Sequence, residues 1–529
     1  MKRKEFLKAT VPAVMIPSLI GGFSIKAHGT GKFLKKLARR AAINGKVLVV
    51  IEMNGGNDGL NMVIPVDQYS NLSTARSNVL IEENKALALN GITKTKLHPA
   101  MTGLQSLYND EKVCIIQNVG YPQPNFSHFR STDIWKSASD SKQNLVDGWL
   151  GRFLDHEYPN YPDNYPSVAN PDPLAIQIGS SVSLSLIGPG ANNMAMNISN
   201  PDDFYAMTND IVDPAPSTPA GHELTFIRKV SQQTQDYLAV IKAASTVGEN
   251  KSTKYPTGGR ANSLSEQLKI VARLISGGLK TPLYYVSMGG FDTHAQQVVA
   301  SDTSTGAHAN LLSTLSVAID AFMDDCKLLK IDDRVAGMTF SEFGRRIQSN
   351  FSLGTDHGAA APMFVFGNKV NPGIIGNNPT ISSTVAVNDN LPMEYDFRQV
   401  YASVLQQWFE LDDETTDKDV LLKNFDNLPV FDTTSSIHKP LKIEKGIVLE
   451  QNYPNPVVDK AFIQFNTPGG IVDIALFDAM GRKVQTIYHG KSEAGVQDIL
   501  FEKGNLKAGN YYYQLSYQAN RITKSMVIQ

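Results

Sequence analysis

The chain has 529 residues, 49 Lys and Arg against 51 Asp and Glu, and a formal charge of -2, so no cationic excess draws it onto nucleic acid, and nucleic-acid binding is not expected. That length exceeds what one core usually encloses and predicts one large domain with smaller ones attached.

Residues 1–28, "MKRKEFLKATVPAVMIPSLIGGFSIKA" and the next position, combine a basic start, an apolar centre broken by Pro12 and Pro17, and small residues near Ala27. This is the layout of an export signal, too short and interrupted to span a bilayer stably; an amphipathic surface helix is the alternative. The opening is similar to a twin-arginine signal, but Lys2-Arg3-Lys4 replaces the arginine pair and leaves the export route open. Residues 29–46 form a basic linker containing "GKFLKKLARRAA".

From residue 47 to 432 the texture is that of one large domain. "KVLVVIEMNGGNDG" is an apolar run delivering polar groups and glycines, the pattern of a buried parallel strand ending at a sheet edge. "KVCIIQNVG", "PLYYVSMGG", "RVAGMTFSEFG" and "APMFVFGN" repeat it. Leu312, Leu315, Ile319, Phe322, Cys326 and Leu329 recur at steps of three and four and predict a helix between two such strands. "HELTFIRKVSQQTQDYLAVIKAAS" and "DFRQVYASVLQQWF" predict two more, whereas residues 150–220 are rich in Pro, Asn, Gly and Ser and read as long loops. Strands alternating with helices give an α/β fold, a largely parallel sheet covered on both faces, with ligand groups at the carboxyl ends of its strands. Cys114 and Cys326, the only cysteines, occupy core-like positions and are read as buried thiols rather than a bridge.

Four polar clusters follow predicted strands. The first, "EMNGGNDG", holds Glu52 and Asp58 beside glycines that can turn amides toward an anion while carboxylates face a cation; a tight turn with Asp58 as a helix cap is the plain alternative. In "PQPNFSHFRSTDIW", Ser127 precedes a predicted helix, either as a nucleophile near unpaired amides or as an ordinary N-cap, and His128 is a metal ligand, a proton-transfer group or a wall residue. "GGFDTH" puts Asp292 and His294 one residue apart, an oxygen and an imidazole suited to zinc or manganese-like ions. Glu342 and Arg345 of "SEFGRR" are expected to pair structurally, while Asp356 and His357 of "GTDHGAA" stand directly before a core strand, where an unpartnered carboxylate is costly. Together Asp292, His294, Asp356 and His357 predict a site for one or two divalent cations.

Residues 433–446, including "TTSSIHKPLKIEKG", form a polar linker. In residues 447–529 the short segments "AFIQFNT", "VDIALFD", "GRKVQTIY", "VQDILFE", "NYYYQLSYQ" and "ITKSMVIQ", separated by turn residues, predict a separately folded β-sandwich.

The large domain resembles the DUF1501 family, a sulfatase-like branch of the alkaline phosphatase superfamily, through "IEMNGGNDGLN", "SHFRSTDIW", "FDTH", "SEFGRR", "GTDHGAAAPMFVFG" and "DFRQVYASVL". The resemblance implies an alkaline-phosphatase-like sheet. It also implies Ser127 as nucleophile, and Asp292 with His294 and Asp356 with His357 as metal pairs. Glu52 or Asp58 would be a first-strand ligand, Arg130 or Arg345 an anion clamp, and His128 an acid for the leaving group. Zinc is the expected ion, with manganese, magnesium and calcium as alternatives. The first strand ends in Glu-Met-Asn rather than the family's Asp-Gly, and no later histidine of the large domain follows His357, so either an early residue such as His98 or His128 completes the shell, or one metal binds, or the site is degenerate. No "C-x-P-S-R" segment is present to form a formylglycine, which ranks phosphate esters above sulfate esters. A noncatalytic cell-surface or carbohydrate-binding protein with a degenerate site is the other reading. "LEQNYPNPVVDKAFIQFNTPGG", "LFDAMGRKV" and "LKAGNYYYQLSYQANRITKSMVIQ" resemble the C-terminal sorting domain of the type IX secretion system of Bacteroidota. That implies passage through the periplasm to the outer surface or medium, contact with that machinery, attachment to lipopolysaccharide after cleavage, and a small-molecule or glycan ester as substrate.

Overall fold

Seven consecutive buried residues, Val47–Met53, form β1 at the centre of the large domain. The computed structural model describes residues 45–163, 165–199, 218, 234–258, 263–432, 447–449, 451–452, 455–478, 481–518 and 520–529. The expected export signal, nearly all of the basic linker and the linker 433–446 lie outside them. Residues 45–432 and 447–529 fall into two compact units.

The strands of the central sheet, in chain order, are β1, β2 (Val113–Gly120), β3 (Ala175–Ile178), β4 (Met196–Ile198), β5 (Leu283–Met288) and β6 (Val335–Phe340). After the hairpin strands β7 (Arg345–Ser349) and β8 (Thr355–His357) come β9 (Ala361–Gly367), β10 (Gly373–Ile375) and β11 (Tyr395–Asp396). The order across the sheet is β10-β2-β9-β6-β1-β5-β3-β4, with β11 also on β2. β1 pairs in parallel with β5 and β6, Met53 opposite Met288 and Glu52 opposite Phe340, so three carboxyl ends finish side by side.

β9 runs antiparallel to both β6 and β2, whereas "APMFVFGN" reads in sequence as one more parallel strand. The β7–β8 hairpin replaces a crossover helix between β6 and β9, and a hairpin reverses the chain where a helix would restore its direction. The sheet is otherwise parallel, and helices cover it: α1 (Thr102–Asn109), α2 (His128–Ser137), α3 (Trp149–Glu157), α4 (Ser263–Ser276), α5 (Ala307–Leu328) and α6 (Phe397–Ser403). Alternate residues of β1 enter two buried clusters, Leu48 and Val50 one, Val47, Val49 and Ile51 the other, as a two-sided sheet requires.

The predicted apolar stripe of α5 is fully buried from Leu312 through Cys326, and Leu329 caps the helix. "DFRQVYASVLQQWF" starts with a capping box at Asp396, runs as α6 and continues in wider π turns over Val404–Trp408. Helix is present at 234–247, and the first part of its predicted segment lies outside the described residues. Residues 150–199, read from sequence as loops, contain α3, β3 and β4, elements too short for a periodic signal among prolines and glycines. Cys114 and Cys326 are buried free thiols, and burial pushes Cys114 up to about 12. No described helix is long and apolar enough to cross a membrane.

The second unit is antiparallel: β12 (Val448–Leu449), β13 (Lys460–Asp478), β14 (Lys483–Glu502), β15 (Gly509–Tyr517) and β16 (Asn520–Ile528), around a core that includes Ile463, Phe465, Ile474 and Leu515. Four expected short strands are two long ones. Gly469 and Gly470 adopt φ of +90° and +132°, open to glycine, and so carry β13 through "PGG" while Pro468 and Gly470 stay paired with Ala494 and Ser492.

Candidate metal centre

Strand ends supply the site. β1 leads into Asn54–Asp58, β5 into Asp292 and His294, β6 into Ser341 and Glu342, and β2 into Phe126–His128, while β8 carries Asp356 and His357. Two glycines let these loops touch. At Gly55, φ +125°, a Cβ would lie 2.3 Å from the Asp292 amide nitrogen, and at Gly56, φ +77°, it would lie 2.2 Å from the Phe343 ring. Phe343 in turn packs against His128 and His357, with ring centroids 4.9 and 4.5 Å away.

Each of three imidazoles is held through Nδ1. His294 Nδ1 is 2.9 Å from Asp356 Oδ1, His357 Nδ1 is 2.8 Å from the carbonyl oxygen of Phe126, and His128 Nδ1 is 2.8 Å from Glu342 Oε1. A carbonyl only accepts, so His357 donates from Nδ1. Asp356 is raised by partial burial but lowered more by His294 and Asn350, and so stands as a carboxylate accepting from His294. A neutral ring that donates from Nδ1 carries its lone pair on Nε2. His294 Nε2 and His357 Nε2 face each other at 2.9 Å, and each lies 3.1 Å from Asp292 Oδ1. His128 Nε2 is 3.4 Å from the other oxygen, Asp292 Oδ2.

Burial raises the Asp292 carboxyl, but the guanidinium of Arg345 and the contact with His357 outweigh it and hold it at about 2. Burial keeps His357 below the usual imidazole value. Two imidazole nitrogens and a carboxylate oxygen thus converge, with Arg345 bonded to that carboxylate and Arg346 3.9 Å from Asp356. Three donors on edges of 2.9, 3.1 and 3.1 Å fit a divalent ion, since metal–ligand bonds of about 2.0–2.1 Å in a tetrahedron put donors about 3.3 Å apart. A ligating histidine also characteristically donates its other N–H to a carboxylate or carbonyl, and the Nδ1 atoms of all three rings face such a group here. His128, Asp292 and His357 form a group with one donor atom each within 4.8 Å of the others.

The other expected site residues lie elsewhere or are already engaged. Asp356 touches the cluster as the partner of His294 Nδ1. Glu52 is buried at the end of β1, where it accepts from Tyr285 at 2.7 Å and pairs with Lys136 at 2.8 Å. Asp58, 1 % exposed, takes a forked pair from Arg76 at 2.9 and 3.0 Å and a bond from Gln297 at 2.6 Å. Among the described residues neither carboxylate bonds to the three histidines. Arg345 is no open clamp: its buried guanidinium donates to the carbonyls of Gly55, Gly56, Phe291 and Thr355 and to Asp292. It pairs with Asp292, not with Glu342. Arg130 points one guanidinium nitrogen at the carbonyls of Asp140, Ser141 and Gln143.

Ser127 is the N-cap of α2, exposed, and its side chain bonds no helix amide. It stands between Phe126, whose carbonyl holds His357, and His128. Sequence reasoning overlooked the carbonyl of Phe126 and gave Glu342 the wrong partner; an acidic residue directly after a buried strand was the available signal.

No curated protein matches the chain. Among solved structures it is similar to a protein of the alkaline phosphatase superfamily from Vibrio parahaemolyticus, at 10% identity over 83% of this chain and 82% of that one, TM-score 0.34. It is also similar to a putative sulfatase from Bacteroides thetaiotaomicron, at 9% identity over 87% and 85%, TM-score 0.33. A third is the phosphonate monoester hydrolase from Silicibacter pomeroyi, at 8% identity over 91% and 88%, TM-score 0.31. Residues 451–529 match a secretion system C-terminal sorting domain, which indicates a secreted, outer-surface protein. Residues 111–423, more than half of the 529, match the family described as "Protein of unknown function (DUF1501)", and the chain belongs to that family.

Proposed function

We propose that the protein is an exported metal-dependent hydrolase of phosphate or sulfate esters. The observation that supports this is the set of three imidazoles that bond outward through Nδ1 and turn Nε2 toward Asp292. His294, His357 and Asp292 would hold the ion, with His128 facing the second carboxylate oxygen, so one ion or two can be accommodated. Zinc suits imidazole and carboxylate donors best, ahead of manganese, magnesium or calcium. When bound, such an ion polarises an ester oxygen and lowers the pKa of a hydroxyl beside it.

The chain's own groups supply the remainder. Ser127 presents a hydroxyl as nucleophile at the start of α2, where unpaired amides favour an anionic ester group. Arg345 fixes Asp292 and Asp356 fixes His294, which keeps the donors in place as charge develops on the substrate. Phosphate esters rank above sulfate esters because no formylglycine segment is present. Small molecules and glycans both remain in the substrate class. The C-terminal unit would direct the protein through the type IX machinery of a Bacteroidota cell, with lipopolysaccharide attachment after cleavage.

The test begins with metal-free protein titrated with zinc, followed by assay on an aryl phosphate and an aryl sulfate. Expected are zinc binding that His294→Asn and His357→Asn abolish, and turnover that Ser127→Ala abolishes while binding persists. Absence of zinc binding, or turnover indifferent to Ser127→Ala, overturns the proposal. Zinc binding without turnover of either ester would favour the noncatalytic surface protein.

A further inference from the structure

The loop after β6 contains a second positioning group besides Arg345. Glu342 is 4 % exposed, and both its oxygens are engaged. Oε1 accepts the Gly55 amide at 2.8 Å and faces His128 Nδ1 at 2.8 Å. Oε2 lies 3.1 Å from the Ser341 hydroxyl, itself 2.7 Å from the Met53 carbonyl and accepting the Asn57 amide at 3.1 Å. Main-chain groups at the end of β1 thus hold the carboxyl in place. A carboxyl so enclosed is shut off from substrate, and among the described residues its link outward is the imidazole of His128.

We infer that Glu342 is a positioning residue: it fixes the His128 ring on the first turn of α2 so that Nε2 faces Asp292 Oδ2, and thereby makes His128 a ligand-competent donor. His128 needs such a restraint because its side chain is 34 % exposed and begins a helix. Phe343 contacts one face of the ring and His357 meets it edge to face at 4.4 Å, which limits its tilt, but neither selects which nitrogen points inward. Bonding to a carboxyl group makes that selection and raises the basicity of the far nitrogen. The inference rests on the reading of the cluster as a cation centre. It divides "SEFGRR" into two tasks, Glu342 orienting His128 and Arg345 orienting Asp292.

The full chain is stripped of metal, titrated with zinc, and loaded with cobalt to record its visible spectrum. Glu342→Gln is expected to weaken zinc binding about 10- to 100-fold and to shift the cobalt bands as one imidazole leaves. In a His128→Asn background the same change is expected to weaken binding no further, because its effect passes through that ring. Glu342→Asp, which retains the charge but not the reach, should fall between, and it carries the test if the glutamine variant fails to fold. Unaltered affinity in both variants, or an undiminished loss in the His128→Asn background, overturns the inference while leaving the cation centre intact. If His294→Asn and the parent chain bind zinc equally weakly, the cation reading fails and the inference with it.

Discussion

Two Asp–His clusters in the large domain use the same residue types to opposite ends. Around Asp58, Arg76 and Gln297 donate to the carboxylate, and His308 and His98 are buried nearby with their pKa values driven by burial to about 4 and about 3. Around Asp292, three imidazoles turn Nε2 inward, and the carboxylate is 48 % exposed. The lesson is that composition does not distinguish a structural cluster from a binding one. What distinguishes them is enclosure: Asp58 is buried among donors, whereas Asp292 is half exposed with imidazole nitrogens beside it. Gln297 links the two, donating to Asp58 while accepting from Thr293 and Thr355, which flank the candidate ligands.

Breaking the pairing in each cluster should give the greatest contrast. Arg76→Met strands a fully buried carboxylate and is expected to cost about 3–5 kcal/mol of unfolding free energy, read from urea midpoints. Asp292→Asn in metal-free protein should cost about 1 kcal/mol or less, since the side chain is half in water, yet abolish zinc binding. Equal losses in stability would dissolve the distinction. Gly55→Ala comes next, because the residue would have to adopt φ +125° with its Cβ against the Asp292 amide. About 1–3 kcal/mol of strain is expected, together with weaker zinc binding as Asp292 is displaced.

The pH response sharpens the comparison further. His98 and His308 have folded pKa values below an unfolded value of about 6.5, so the unfolded chain binds protons first as acid is added. Their contribution is complete above that value and is lost as pH falls toward about 4 for His308 and about 3 for His98. His308→Gln should flatten the slope of stability between neutral pH and that range. Asp292 acts later: its depressed pKa stabilises the fold above the unfolded carboxyl value, and that contribution disappears as pH falls to about 2. The smallest effect belongs to Ser127→Ala. With no cap bond to lose, its stability should stay within about 0.5 kcal/mol of the parent, measured by thermal melting.

Much of this was legible in the chain. Apolar runs marked β1, β2, β5, β6 and β9, and the three- and four-residue rhythm marked α5, because burial on a sheet face or helix stripe imposes those periods locally. "FDTH" and "TDHG" pointed to residues that the structure brings together, Asp292, His294 and His357 with side-chain atoms 2.9–3.1 Å apart and Asp356 bonded to His294. The direction of β9 and the merging of short C-terminal strands into β13 and β14 were not legible. Both depend on what lies beside a segment rather than within it.

By itself, then, the sequence determined the strands, the chief helices and the residue types offered at the strand tips, since each is written in neighbouring side chains. Only the tertiary structure decided that Asp58 and Glu52 would be consumed by Arg76, Tyr285 and Lys136, that Arg345 would be buried beneath Asp292, and that Glu342 would hold His128. A side chain's role depends on which donor or acceptor reaches it first, and those partners lie tens to hundreds of residues away along the chain.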